Sequence, residues 1–547
     1  MPHTLIDTVL RRRESSDTLY SFQERSGDES LGYAALYDDA SSVAALLQSE
    51  FAPRSVGLLL FPAGLDFIRA FFGMTLANMV SVPTPLPKPN RPLTHVSHIA
   101  LDCQASFVLC AGADFDRLRD LFIDTPLGRL PWINLDDRAR FAGPDWRRPS
   151  VTDDLTVLLQ YTSGSTGTPR GIPLSHRNLL SNLEAIRLNF GHSSASRGVI
   201  WLPPYHDMGL IGGLLEPLYV GFPVLLFSPF QFLLHPIKWL QAISDFRAST
   251  SGGPNFAYDY CVSKISEEQK SCLDLSCWQV AFVGAEPIQA ATLKRFETAF
   301  RAAGFASTAW HPCYGLAEAT LLVSAKTIAQ ERFECCFDQR ALEQGAVQAV
   351  DATHAHARTL VSCGLPAQST AVRVIHPHDQ TECAEGCVGE IDICGPGVSA
   401  IGDGGPPFRI RSGDLGFFWR GELFLCGRLK EMLIFKGRNF FPQDIELSIQ
   451  NSHVALEIHA GAAFSVEDPS SGARLVIIQE LRRQFRQVDK REVVQNIRRA
   501  LAIEHDLQAE TIVLVPPGTI PRTSSGKIRR IHARDQYLER RFEPHIS

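Results

Sequence analysis

The segment Tyr161–Gly171, YTSGSTGTPRG, constrains this chain more than any other stretch. It follows an apolar run, Leu155–Leu159, that reads as a buried strand. It precedes a pattern with Ser175 as N-cap and Leu179, Leu183 and Ile186 on one helix face. A loop of Gly, Ser and Thr between strand and helix exposes backbone N–H groups and hydroxyls that can surround phosphate oxygens. It is not a Walker A loop, because no Gly-Lys-Ser/Thr follows at the required spacing.

The rest of the chain repeats the strand–turn–helix rhythm. Ser55–Phe61 and Gln279–Val283 read as buried strands, and after the second Pro287 sits where a helix can begin. Leu293, Phe296 and Phe300 then share one helix face, so the layers are α/β. A length of 547 residues allows about three to four folding units. With 53 basic and 59 acidic side chains the net charge is −6, which excludes nucleic-acid binding through bulk charge. The opening residues hold no uninterrupted apolar core, so no secretory signal is expected. The most apolar stretch, Gly209–Leu234, is cut by Glu216, Pro217, Gly221, Pro223 and Pro229. It predicts buried core or the wall of an apolar tunnel, not stable membrane insertion. The 13 cysteines are scattered, and Cys383, Cys387 and Cys394 lack any CxxC, so reduced thiols in a cytoplasmic protein are expected.

Charge density rises after Gly427. Leu475–Ile478 and Thr511–Val515 read as short strands, with Val494, Ile497 and Leu501 marking a helix between them. Arg482, Arg483, Arg486, Arg498 and Arg499 fall on its solvated side. A small α+β domain is expected from about residue 430 onward. Near its end stands PRTSSGK, Pro521–Lys527. A lysine after a Ser-Ser-Gly turn offers a reachable ammonium that can neutralise a carboxylate or a departing pyrophosphate.

Further stretches follow in order: Tyr205–Gly209 (YHDMG), Gly284–Pro287 (GAEP), Tyr314–Glu318 (YGLAE), Ser412–Gly416 (SGDLG) and Gly427–Lys430 (GRLK). Together with the glycine-rich loop and Lys527 they resemble the adenylate-forming superfamily of acyl-CoA synthetases, peptide-synthetase adenylation domains and luciferases. Gly64–Gly73, Trp201–Gly213 and Ser251–Tyr258 resemble the fatty acyl-AMP ligases within it. The resemblance implies a large N-terminal domain, residues 1–427, of layered α/β sheets plus a distorted β-barrel. It implies a small mobile C-terminal α+β domain, residues 428–547, and an insertion at about 328–364. In that insertion Phe333, Phe337, Leu342 and Leu360 are the candidate anchors on the large domain.

The implied activity is ATP-dependent conversion of a medium- or long-chain fatty acid to acyl-AMP, with transfer to the phosphopantetheine thiol of an acyl carrier protein. Charge then builds on phosphate oxygens, so the site needs donors and cations, not a covalent nucleophile. By resemblance, Thr162, Ser163, Gly164, Ser165, Thr166 and Gly167 hold phosphates. Arg170 stands where the family usually has Lys. Gly284, Ala285 and Glu286 flank the adenine opposite Tyr314 and Gly315, and Asp414 takes the ribose hydroxyls. Glu318 and Thr166 hold Mg2+, Arg428 contacts ribose or phosphate, and Lys527 bridges the carboxylate and the α-phosphate. His206, Asp207, Met208 and Gly209 border the acyl mouth, and Lys430 is the hinge. The stretch from Gly395 to Asp414 lacks the family's Gly-Tyr-Trp element. A CoA ligase and an inactive binding module are the alternatives. The insertion separates the first from the reading above. The joint presence of Glu318, Asp414, Arg428 and Lys527 argues against the second.

Overall fold

The computed structural model describes residues 2–542 apart from 24–26, 88–92, 113, 138–144, 163–168, 329, 401–407, 436–437, 469–471 and 524–525. Two sheets dominate the N-terminal part. A six-stranded sheet runs Trp132–Asn134, Phe107–Cys110, Val56–Leu59, Val80–Pro83, Thr156–Thr162 and Arg170–Ser175, parallel except for the last pair. A nine-stranded sheet is centred on the parallel strands Trp310–Gly315, Val280–Val283, Thr250–Gly253, Gly198–Ile200 and Val224–Leu226. One core joins Leu59, Phe107 and Leu158 of the first sheet to Tyr20, Val224 and Val280 of the second. The helices Tyr33–Glu50, Leu65–Leu76 and His176–Phe190 fill the space between them. Leu65–Leu76 buries all but Asp66 and Arg69, as a helix that is apolar around most of its circumference must.

The far face of the nine-stranded sheet carries an aromatic core: Trp239, Tyr258, Trp278, Phe296 and Trp310, with Tyr258 and Trp310 centroids 4.7 Å apart. Each such pair contributes about 0.5–1.5 kcal/mol beyond its buried area, which holds the strand ends rigid beneath the site.

Ala371–Ile375, Gly389–Cys394, Arg409–Trp419 and Glu422–Arg428 form a four-stranded antiparallel sheet. No closed barrel forms among the described residues, which corrects the barrel expected by resemblance. The edge that would have to pair for closure is already occupied. Cys363 N–H donates to Leu423 O at 2.8 Å, and Leu423 N–H donates to Gly364 O at 2.9 Å. A satisfied edge leaves no ladder for the first strand to join.

The segment expected as an insertion forms a hairpin, Glu334–Asp338 with Ala357–Val361, whose turn carries the short helix Gln339–Glu343. Phe337, Leu342 and Leu360 are buried against Leu415, Phe417, Phe424 and Cys426 of the four-stranded sheet, with Phe333 beside them. The Phe337 ring meets Phe417 at 5.0 Å and Phe424 at 5.4 Å.

Beyond Arg428 a separate core begins at Leu433. Its sheet pairs Leu456–Asp468 antiparallel with Gly472–Leu481, which lies parallel to Ala509–Val515. These strands outrun the short runs read from sequence. The helix Lys490–Ala500 buries Val493, Val494 and Ile497 and ends on Arg498 and Arg499. No helix among the described residues is long and apolar enough to cross a membrane. All 13 cysteines are free thiols.

Candidate active site

The glycine-rich loop sits inside a β-hairpin, not directly between strand and helix. Thr162 pairs with Arg170, and Arg170–Ser175 forms a second strand before the helix begins. The helix start itself matches the sequence: Ser175 Oγ accepts from Asn178 N–H in a capping box. Ser163, Gly164, Ser165, Thr166 and Gly167 lie outside the described residues. Thr162 and Arg170, the two ends of the hairpin loop, line one large cavity of about 2560 Å³.

That cavity gathers Ala285, Glu286, Tyr314, Gly315, Glu318, Asp414, Arg428, Lys430 and Lys527, together with His206, Asp207, Met208 and Gly209. Gly284 stands just behind it, where a Cβ would come within 2.7 Å of Cys313 O. The C-terminal ends of parallel strands supply Ala285, Glu286 and Tyr314, the position where open α/β sheets bind ligands. Gly315 has no substitute, since a Cβ there would lie 1.7 Å from Leu321 O. Ala285 on the cavity wall and Thr320 just beyond Glu318 both hold φ at +71°. Thr320 is β-branched, so the conformation is strained. Its Oγ1 donates to Gly397 O at 2.6 Å and holds the turn that follows Glu318.

Asp414 anchors one side of the cavity. It is 7% exposed. Tyr314 Oη donates to its Oδ2 at 2.8 Å, and Arg428 Nε donates to its Oδ1 at 2.8 Å. Asp414 and Arg428 are register partners across adjacent strands, which sets this contact in the backbone. The charge of Asp414 raises the Arg428 pKa, and burial pushes the Tyr314 phenol well above its usual value. Ser412 Oγ accepts from Asp414 N–H at 3.1 Å and donates to Ile391 O at 2.8 Å, a support that sequence reading missed.

Lys527 comes from the C-terminal domain and is half-buried. Its N–H donates to Thr523 Oγ1 at 3.0 Å. Burial and then the Arg428 charge lower its pKa, against the opposing pull of Asp207, Glu286 and Asp414. The ammonium therefore faces one cation and three carboxylates of the large domain. Burial likewise lowers the His206 pKa, with Lys527 adding to the effect. Asp207 has a structural task besides its place at the mouth. Its Oδ1 accepts from Met208 N–H at 2.7 Å and caps the π-helix Met208–Leu215. Glu286 Oε1 and His206 Nε2 are buried without a partner among the described residues, so the cavity holds polar groups ready for a ligand.

Interdomain contacts that no sequence motif signalled surround this centre. His459 Nε2 lies 2.7 Å from Asp259 Oδ2, and Asp259 is also bound by Arg295 and Thr292. The hairpin of residues 334–361 reaches the small domain as well. Arg358 pairs with Asp444 at 2.8 Å, Glu343 with Arg438 at 2.7 Å, and Gln339 with His505 at 3.0 Å.

The fold and the site together define a class. The AMP-binding enzyme family model matches residues 8–400, and the Disco-interacting protein 2-like AMP domain matches residues 430–546. The chain belongs to the AMP-binding, adenylate-forming enzymes. Among similar proteins is the medium-chain-fatty-acid–[acyl-carrier-protein] ligase JamA of Moorena producens, 39% identical over 98% of this chain and 95% of that one. Fatty acyl-adenylate ligase structures from E. coli and L. pneumophila include one with TM-score 0.89 and 29% identity, covering 99% of this chain and 98% of that one. The L. pneumophila ligase in complex with acyl adenylate and pyrophosphate aligns with TM-score 0.75 and 35% identity, over 98% and 97% of the two chains. Within the superfamily this chain is a fatty acyl-AMP ligase.

Proposed function

We propose that the protein activates a medium- or long-chain fatty acid with ATP and passes the acyl group to the phosphopantetheine thiol of an acyl carrier protein. A carboxylate oxygen attacks the α-phosphorus, a P–O bond to pyrophosphate breaks, and acyl-AMP results. The thiol sulfur then attacks the acyl carbonyl and AMP leaves. The observation that carries the reading is Lys527, which reaches from the C-terminal domain into the cavity that holds Asp414, Arg428 and Glu286.

In this reading Asp414 binds the ribose hydroxyls. Thr162, the loop after it and Arg170 receive the phosphates. Ala285 and Glu286 flank the adenine opposite Tyr314 and Gly315, with Gly284 behind. Arg428 and Lys527 offset charge as it develops on the α-phosphate. Lys430, in the short turn Leu429–Glu431 between the two cores, acts as the hinge, and we divide the chain there into residues 1–427 and 428–547. Glu318 is a hard oxygen ligand on the cavity wall, which suits Mg2+ held by one carboxylate and substrate phosphates. Bound there, the ion would offset phosphate charge, with Thr166 as the second ligand expected by resemblance. Free thiols and the carrier substrate fit a cytoplasmic setting.

The deciding experiment gives the purified protein ATP and acids of four to eighteen carbons, and separates acyl-AMP, acyl-CoA and acyl-carrier. Acyl-AMP with transfer to the carrier supports the reading. Acyl-CoA formed as fast as acyl-AMP makes it a CoA ligase, and no adenylate at all sinks the activity.

A further inference from the structure

From the YHDMG loop the cavity extends along the nine-stranded sheet as an apolar arm. Ile186, Phe190, Phe222, Phe282 and Leu321 line it. The arm reaches Gly198, Val224 and Thr250, the first residues of three neighbouring parallel strands and register partners of one another. Its far end therefore lies at the N-terminal edge of the sheet, opposite the nucleotide.

That end is polar. Gly191 takes φ +63° after the helix His176–Phe190 and turns His192 back onto the arm. His192 Nε2 lies 3.1 Å from Thr250 Oγ1, and His192 Nδ1 lies 3.0 Å from Glu216 Oε1. Both His192 and Thr250 line the arm, and Glu216 is wholly buried behind them. Glu216 Oε2 has no partner among the described residues. An apolar arm made only for a methyl end has no use for such a cluster, since buried polar groups cost stability unless they meet partners.

We propose that His192, Glu216 and Thr250 recognise a hydroxyl at the distal end of the acyl chain, so that the preferred acids are hydroxylated there. This rests on the acid-activating reading above. The class of group follows from charge. Burial pushes the His192 pKa down to about 3 and raises that of Glu216 above its ordinary value, which favours the neutral form of each. A neutral site offers no counter-ion, which disfavours a second carboxylate or an ammonium. The proton order in the relay has two forms. With Glu216 donating to Nδ1, Nε2–H donates to Thr250, whose hydroxyl proton is left for the arm. With Nδ1–H donating to Glu216, Thr250 donates to Nε2 and its lone pair faces the arm. Thr250 thus meets a ligand as donor or acceptor, and a hydroxyl is both.

The test compares plain acids and terminally hydroxylated acids of four to eighteen carbons by acyl-AMP formation. It uses the intact enzyme, Thr250→Val and Thr250→Ser. Thr→Val keeps shape and removes the hydroxyl, so the fold should hold, and the melting temperature checks it. At one chain length the hydroxy acid is expected to exceed the plain acid in kcat/KM by at least about tenfold, since a site built for a hydroxyl rejects the analogue lacking it. Thr250→Val should abolish that ratio by losing the hydroxy acid alone, and Thr250→Ser should keep it. Plain acids preferred at every length, or a ratio unchanged in folded Thr250→Val, would overturn the proposal and leave the ligase activity standing. No acyl-AMP from any acid would overturn both.

Discussion

Asp414 accepts hydrogen bonds from Tyr314 and Arg428, which uses two of the roughly four acceptor positions of a carboxylate. The remaining lone pairs are those that the proposed function gives to the ribose hydroxyls. Asp414→Asn keeps an acceptor for Tyr314 but loses charge. The KM for ATP is expected to rise by roughly tenfold or more, as charge-assisted hydrogen bonds of about 1.5–3 kcal/mol weaken. The KM for the acid should move much less. Equal changes in both constants, measured by initial rates, would make Asp414 structural. Lys527→Ala should slow acyl-AMP formation by about 10²-fold or more, the effect of removing one preorganised charge at a developing anion. Wild-type pyrophosphate release by that variant would remove Lys527 from the chemistry. The pH profile carries a second test. Burial and Arg428 lower the Lys527 pKa, so it loses its proton at a lower pH than a free lysine. Adenylation should therefore fall on the alkaline side, starting below the usual lysine range. Lys527→Arg should shift that limb upward if the charge alone matters.

At the scale of elements, the π-helix Met208–Leu215 does work that composition alone only hinted at. The sequence predicts core or tunnel wall for Gly209–Leu234, and the segment supplies residues to the core and to the cavity wall. Leu210, Ile211 and Leu214 join the core between the sheets, whereas Gly209, Gly212 and Phe222 line the cavity. A Cβ on Gly212 would meet nothing nearer than Leu321 at 3.5 Å, so a side chain there would grow into the arm. Gly212→Leu should leave the KM for ATP unchanged and lower kcat/KM for long acids more than for short ones. A uniform loss across chain lengths would place the arm elsewhere. The strand Arg170–Ser175 shows what local reading missed. Its alternating Ile172 and Leu174 are a period-2 signal, but two apolar residues between the loop and the cap at Ser175 make too short a run to announce a strand.

For the whole molecule, the proposed function asks the arrangement of the two domains to decide which half-reaction proceeds. The hairpin of residues 334–361 grips both domains. Its apolar anchors sit on the four-stranded sheet, and Arg358, Glu343 and Gln339 hold Asp444, Arg438 and His505. Deleting the hairpin would uncover Phe417 and Phe424, so it would cost more than a loop closure. Arg358→Met combined with Glu343→Gln is the cleaner test, because the anchors stay. Acyl-AMP formation is expected to persist while acyl-CoA, detected by chromatography, appears or increases. Unchanged acyl-CoA output at equal adenylation would mean these pairs do not govern acceptor choice. Lys430→Pro fixes φ near −65° and removes one N–H at the turn between the cores. It should spare adenylation and lower transfer to the carrier protein. Equal loss of both steps would argue against a hinge there.

The order of motifs from Tyr161 to Lys527 determined the superfamily without any coordinates, and it named most of the residues now proposed for the site. Backbone chemistry is local: a capping Ser, a tight Gly or a lysine after a Ser-Gly turn means the same wherever the chain later goes. What surrounds each of these groups was not legible. Asp414 meets Tyr314 because strands far apart in sequence converge, and it meets Arg428 because of strand register. The barrel suggested by resemblance stays open because residues 362–364 occupy its edge. Asp259 meets His459 across 200 positions of chain, and Thr250 meets His192 across 58. Such pairings follow from how the layers stack, and stacking sums many weak burial terms over the whole molecule. No single stretch of sequence carries that sum, so only the tertiary structure decides them.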